Sequence, residues 1–221
     1  MLDAVEAMTA DLDRPRRILD LASGPGSISL RVLKRWPDAE VTLVDLDPVL
    51  LTIARASVGG RIVSADLRSP DWCTALAGPG FDAVLTMTSL HWLTADRITQ
   101  LYGEVRSLLR PGGLFVNIDE MVDERIPTLT EQLTRLAARR RTARYSAAAV
   151  LPWDRWWEHV AEDPVLGSLT AQRLALFGGE HIDAEWTPPA SWHIRVLEDT
   201  GFREAGLLWR ARRGSAAAAI R

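Results

Sequence analysis

Short runs of aliphatic and β-branched residues recur along the first half of the chain, and between them apolar residues return every three or four places. The runs are Arg17 to Leu21, Val41 to Asp45, Arg61 to Ala65, Ala83 to Thr88 and Leu114 to Asp119. They are continuously apolar rather than alternating, which marks strands buried on both faces. Strands alternating with helices in this way predict a parallel sheet covered on both sides. The helix from about Ser27 to Trp36 ends before Pro37, and Pro48 sits in the first turn of the next, where its missing amide is harmless. Thr94 caps a helix running to Leu109 that stops at Pro111-Gly112-Gly113.

From about Glu120 to Pro189 the period is helical throughout, with many arginines and tryptophans and no clear strand. This reads as a helical cap over residues 120–187, inserted into a domain formed by 1–119 and 188–221, with Pro188-Pro189 closing the insertion. Arg203 to Arg210 and Gly214 to Arg221 predict a closing antiparallel hairpin that turns at Arg213-Gly214-Ser215. The four alanines 216–219 suit a tightly covered strand.

The most informative segment is Ile18-Leu19-Asp20-Leu21-Ala22-Ser23-Gly24-Pro25-Gly26-Ser27-Ile28-Ser29-Leu30. An apolar strand runs directly into a glycine turn that opens a helix, whose first amides point unpaired donors at a nucleotide-like ligand. The next strand ends in Asp45, and a carboxylate there suits the two hydroxyls of a ribose. A nicotinamide-dependent oxidoreductase fits poorly, because Ser29 stands at the third glycine position of G-x-G-x-x-G/A.

Asp20, Ala22, Gly24 and Gly26 instead resemble the D-x-G-x-G-x-G motif of the class I S-adenosylmethionine-dependent methyltransferases. Ala22 replaces the first glycine, and its methyl group argues against a positive φ there. The resemblance extends to Ser64-Ala65-Asp66-Leu67 after the third strand, to Phe81 through Leu93, to Leu108 through Phe115, and to Ser191 through Arg210. It implies a Rossmann-like α/β fold: a seven-stranded, mostly parallel sheet with one antiparallel strand, here with a helical cap, of the small-molecule, trans-aconitate-methyltransferase-like type. It also implies S-adenosylmethionine as cofactor, held by Asp20, Ala22, Ser23, Gly24, Gly26, Asp45, Leu46, Asp66, Leu67 and Thr88. Asp45 would take the ribose, Asp66 the adenine amino group and Asp20 the ammonium of the methionine moiety. His91, where the fourth strand ends, is the first candidate for a base, since a neutral imidazole takes a proton near pH 7. Glu120 and Asp119 are second candidates; a side chain that docks Trp92 is the structural alternative for His91. A protein that binds the cofactor without transferring methyl, or that uses its charge for a rearrangement, shares every one of these signals.

Composition narrows the partner. A net charge of -3 disfavours a nucleic acid substrate, and Ser89-Leu90-His91-Trp92 occupies the place of the N/D-P-P-Y/F tetrapeptide of amino-methylating nucleic acid enzymes. A small molecule is expected, with no membrane and a cytoplasmic location, because neither a long apolar run nor a basic-then-apolar leader is present. Cys73 is the only cysteine, which excludes an internal disulfide and a cysteine-rich metal site. His181 has no partner at metal-ligand spacing, so no metal is expected. Trp153 and Trp157, four apart, share a helix face and read as core, with at least one of the nine tryptophans lining an acceptor pocket. Arg135, Arg139, Arg140, Arg141 and Arg144 read as a solvated helix face.

Overall fold

The computed structural model describes every residue except 77, 79, 148, 179–185 and 212–213. Seven strands form one sheet: β1 (Arg17–Leu21), β2 (Glu40–Asp45), β3 (Arg61–Ser64), β4 (Phe81–Met87), β5 (Leu109–Glu120), β6 (Glu204–Ala211) and β7 (Gly214–Ile220). Their order is β3-β2-β1-β4-β5-β7-β6. Strands β1 to β5 pair in parallel, and β7 runs antiparallel to both neighbours. The strand order reverses at β1, so the carboxyl ends of β1 and β4 diverge into a crevice there.

Helices cover both faces. Against one lie α1 (Leu2–Thr9), α2 (Ser27–Arg35) and α3 (Pro48–Ser57), which bury Val5, Ile28, Val32 and Ala54 on Ile18, Leu43, Leu85 and Val116. Against the other lie α4 (Ala95–Leu108) and α8 (Ala190–Asp199), which bury Leu101, Tyr102, Val105 and Leu197 on Leu19, Val84 and Phe115. Thr94 caps α4 by accepting from the amide of Arg97. Between β5 and α8 run α5 (Pro127–Ser146), α6 (Trp153–Glu162) and α7 (Gly167–Phe177); α6 packs on α7, and α7 on α3.

Three details depart from the sequence reading. Helix α1 is not announced by the pattern. Strand β5 begins at Leu109, ahead of Pro111, and pairs with Phe81 before the register shifts. The hairpin strands stay paired to Ala211 and Gly214, so Gly214 and Ser215 belong to β7, while Arg213 lies outside the described residues. The alanines 216–219 are buried, as the covered strand requires. β6 is an edge strand whose pairing slips between Leu207 and Trp209, and Leu207, Leu208 and Trp209 are exposed.

At the amino ends of the strands Asp82, fully buried, holds three segments together. It accepts from both terminal nitrogens of Arg14, from Arg110 Nε and from the amide of Arg17. Burial pushes its carboxyl up, but these donors outweigh it and hold the group below the ordinary range. Asp82→Asn keeps the shape and removes the charge. Urea unfolding of this variant should show a loss of about 3 kcal/mol, the cost of breaking a buried ion pair; an unchanged midpoint would mean that water already satisfies the two guanidinium groups.

Candidate functional site

The turn after β1 is built on backbone that few residues tolerate. Gly24 and Gly26 have φ of 54° and 84°, and a Cβ on Gly26 would lie 2.6 Å from Val58 Cγ2. Ala22 also takes a positive φ, 53°, against the expectation drawn from its methyl group. Left-handed backbone costs a non-glycine residue on the order of 1–2 kcal/mol. Neighbouring bonds impose it here: the Ser23 amide donates to the Val44 carbonyl, and the Gly24 amide to Asp45 Oδ2.

Asp20 lies beneath this turn, fully buried. Its Oδ2 accepts from the Ser29 amide at 3.0 Å and from Ser29 Oγ at 2.6 Å. The serine at the third glycine position therefore has a structural task, pinning the first turn of α2 to β1. Asp20 Oδ1 and Ser23 Oγ are buried with no hydrogen-bond partner among the described residues. Such orphans are rare and mark places where a ligand completes the bonding. Burial pushes the Asp20 carboxyl up to about 7, against the Ser29 bonds and with the help of the Asp45 charge.

At the end of β2, Asp45 Oδ1 accepts from the amides of Leu46 and Asp47. Burial raises its pKa despite these bonds and that from Gly24. Asp47 caps α3 through Oδ1, while its Oδ2 accepts from Arg173 Nε of α7 at 2.7 Å. Arg173 in turn lies over the Trp157 ring, 3.9 Å from its centroid. Asp66, after β3, pairs with Arg68 at 2.7 Å; burial raises its pKa, but the guanidinium wins and holds it low. Leu46 and Leu67 are half-buried. Thr88, just past β4, has φ of 53°, a strained state for a β-branched residue.

Beside it stands the pair that the sequence only half revealed. His91 Nδ1 lies 2.7 Å from Asp119 Oδ1 at the end of β5, and the His91 amide donates to Asp119 Oδ2. His91 is nearly buried and Asp119 is buried. The imidazole sits against the Trp92 ring, centroids 4.9 Å apart, but Trp92 itself is 44% exposed, so His91 does not dock it into the core. His91, Asp119 and Glu120 line one small cavity with Ile98, Trp186, Pro188 and His193. The Trp186 amide donates to the His91 carbonyl, which ties the segment before α8 to this corner. Neither Asp119 as the partner of His91 nor the Asp47–Arg173 bond was legible in the sequence, because each joins strand ends or helices far apart in the chain.

Trp153 is 62% exposed and stacks on Trp156, so the reading of this stripe as core is wrong; the three indoles of α6 pack on one another rather than into the sheet. The arginines of α5 are exposed. Trp192 is partly buried against Trp186. His181 lies outside the described residues. Among the described residues no group of side chains could hold a metal ion, and no helix is long and apolar enough to cross a membrane.

Residues 18–113 match the family model described as a methyltransferase domain. The chain is 32% identical over 101 residues to a malonyl-[acyl-carrier protein] O-methyltransferase of Geobacter sulfurreducens, a match covering 46% of this chain and 37% of that protein. It is 34% identical over 100 residues to a trans-aconitate 2-methyltransferase of Mycolicibacterium gilvum, covering 44% and 36% respectively. These matches span little more than a third of either relative's length. Among solved structures it is similar to the apo S-adenosylmethionine-dependent methyltransferase SibL (TM-score 0.57, 17% identity, 100% of this chain and 55% of that one). It is also similar to human N-acetylserotonin methyltransferase in complex with S-adenosylmethionine (TM-score 0.55, 17% identity, 100% and 52%). By its fold and by the sequence of its first half, the chain is a class I S-adenosylmethionine-dependent methyltransferase.

The turn makes opposite demands at two neighbouring positions. Gly26→Ala should lower stability by about 2 kcal/mol, from strained φ and a clash with Val58. Ala22→Gly should leave the unfolding midpoint unchanged or raise it, since the relief of φ strain offsets the added freedom of the unfolded chain. Equal destabilisation by both would show that φ does not control the turn.

Proposed function

We propose that this chain transfers a methyl group from S-adenosylmethionine to a protic oxygen or nitrogen of a small molecule, with His91 as base and Asp119 as its orienting partner. The observation that carries the reading is the 2.7 Å His91–Asp119 bond at the end of β4, the strand next to β1 and its glycine turn. A carboxylate on Nδ1 fixes the tautomer that leaves Nε2 as the proton acceptor and steadies the imidazolium that forms.

The cofactor fits the residues present. Asp20 Oδ1 and Ser23 Oγ supply the polar atoms that the methionine end needs, Gly24 and Gly26 allow close approach, and Asp45 offers a carboxylate to the ribose. Leu46 and Leu67 flank the adenine and Asp66 takes its amino group, exchanging part of its bond to Arg68. Thr88 stands where β4 reaches the methyl. When bound, S-adenosylmethionine supplies a methyl already activated by the sulfonium charge. The chain's own work is then chiefly to hold the acceptor in line and exclude water, effects worth up to about 7–11 kcal/mol. The helices of 120–187 serve as a cap over the strand ends, a role supported by the bonds of Arg173 to Asp47 and of Trp186 to His91. Glu120, beside the same cavity, contributes to acceptor choice.

Incubating the protein with labelled cofactor and a panel of hydroxyl and amine acceptors should yield methylated product. His91→Ala should leave cofactor affinity intact and lower turnover by about 10²–10⁴-fold, with loss of the acidic limb of the pH profile. Turnover and pH profile like those of the unaltered protein would remove His91 from the chemistry.

Asp20 yields an independent test of cofactor placement. Its carboxyl, near pKa 7 without ligand, loses its proton when an ammonium is set against it. Binding at pH 7 should therefore release about half a proton, and at pH 9 almost none. Calorimetric enthalpies should differ between phosphate and Tris at pH 7 and converge at pH 9. A buffer-independent enthalpy at pH 7 would place the ammonium elsewhere.

A further inference from the structure

Three polar side chains interrupt the apolar layer between the sheet and the helices α4 and α8. Asn117 of β5 and Tyr102 of α4 are fully buried, and His193 of α8 is 2% exposed. Asn117 Nδ2 donates to the Tyr102 hydroxyl at 3.1 Å, and that hydroxyl lies 2.6 Å from His193 Nδ1. A hydroxyl that accepts from the amide has its own proton to give to the imidazole. His193 Nδ1 is then an acceptor, and the ring proton sits on Nε2.

The arrangement costs stability where apolar side chains would pack without penalty, and Asn117 Oδ1 has no partner among the described residues. Its outcome is an imidazole with a fixed tautomer at the edge of the candidate site. The His193 ring lines the cavity that holds His91, from the turn after β4, and Asp119 and Glu120, from β5, with Trp186 from the segment before α8. Burial drives its pKa down to about 4, against the pull of the Asp119 charge, so the ring is neutral at assay pH. Asp119 has capacity for another donor. Its Oδ1 takes His91 Nδ1 and the Glu120 amide, while Oδ2 takes the His91 amide at 3.2 Å, a long bond for a buried carboxylate.

We propose that His193 is a positioning residue for the His91–Asp119 pair: Tyr102 fixes its tautomer, and its Nε2–H serves Asp119 and holds that carboxylate in line with His91. The proposal rests on the reading of His91 as base, but its test does not. In His193→Leu, Asp119 loses a donor that spreads its charge and so holds the His91 imidazolium more tightly. The His91 ring signal, titrated by NMR in the full chain, should move up by about half a pH unit or more, the shift a hydrogen bond of ordinary net strength produces. His193→Gln, which keeps a side-chain N–H at the Nε2 position, should restore the unaltered titration; Tyr102→Phe, which frees the tautomer, should shift it in the same direction as His193→Leu. With an acceptor in hand, His193→Leu should lower kcat about tenfold with KM unchanged, and His193→Gln should recover it.

An unshifted His91 titration in a folded His193→Leu protein overturns the proposal, as does a shift that His193→Gln fails to reverse. If His91→Ala proves fully active while the His193→Leu titration moves as expected, the assignment of the base fails and the positioning contact stands.

Discussion

Burial of β1 between β2 and β4 is the constraint on which the rest depends. Its Ile18, Leu19 and Leu21 are inaccessible to water, and each is paired on both sides. A strand in that position cannot move its end, so the turn that follows begins from a fixed point. Asp20 carries the constraint into the turn: its carboxylate, buried with the strand, clasps Ser29 and sets where α2 starts. The left-handed residues between them, Ala22, Gly24 and Gly26, are the geometry that remains once both ends are held.

The same logic places His91 and Asp119. β4 pairs with β5 from Phe81↔Leu109 to Met87↔Ile118, so the residues just past the two strands are neighbours by register. A histidine shortly after one strand and an aspartate at the end of the other meet without any long-range loop arrangement. The polar chain behind them rests on α4 and α8, which the core holds rigidly. The site therefore stands on ordered elements on the sheet side, and the cap reaches it through two bonds, at Asp47 and at the His91 carbonyl.

Much of this was legible in the sequence because it follows from local pattern. Continuous apolar runs showed the parallel strands, Thr94 and Pro48 marked helix starts, and the glycine turn with Asp45 showed where a nucleotide-like ligand belongs. What escaped depends on partners distant in the chain. Ser29 looked like a departure from a glycine motif, and only its bond to Asp20 explains it. Ala22 seemed ill suited to positive φ because a single residue's preference was weighed without the bonds at Ser23 and Gly24 that override it. Trp153 and Trp157 had the spacing of a core stripe, but periodicity does not say whether a helix faces a sheet or only its neighbours. The Asn117–Tyr102–His193 chain has no sequence signature, since its members come from three elements.

The outer strand of the sheet illustrates how a fold guards against its own hydrogen bonds. β6 leaves one row of backbone donors and acceptors without a neighbouring strand, beside the bare side chains of Leu207, Leu208 and Trp209. A straight edge of that composition is a template on which another chain could add a strand. The slip in pairing between Leu207 and Trp209 bends the strand at its most apolar point. That one extra residue interrupts the even spacing an incoming strand would need, so a surface that invites association is kept from propagating it.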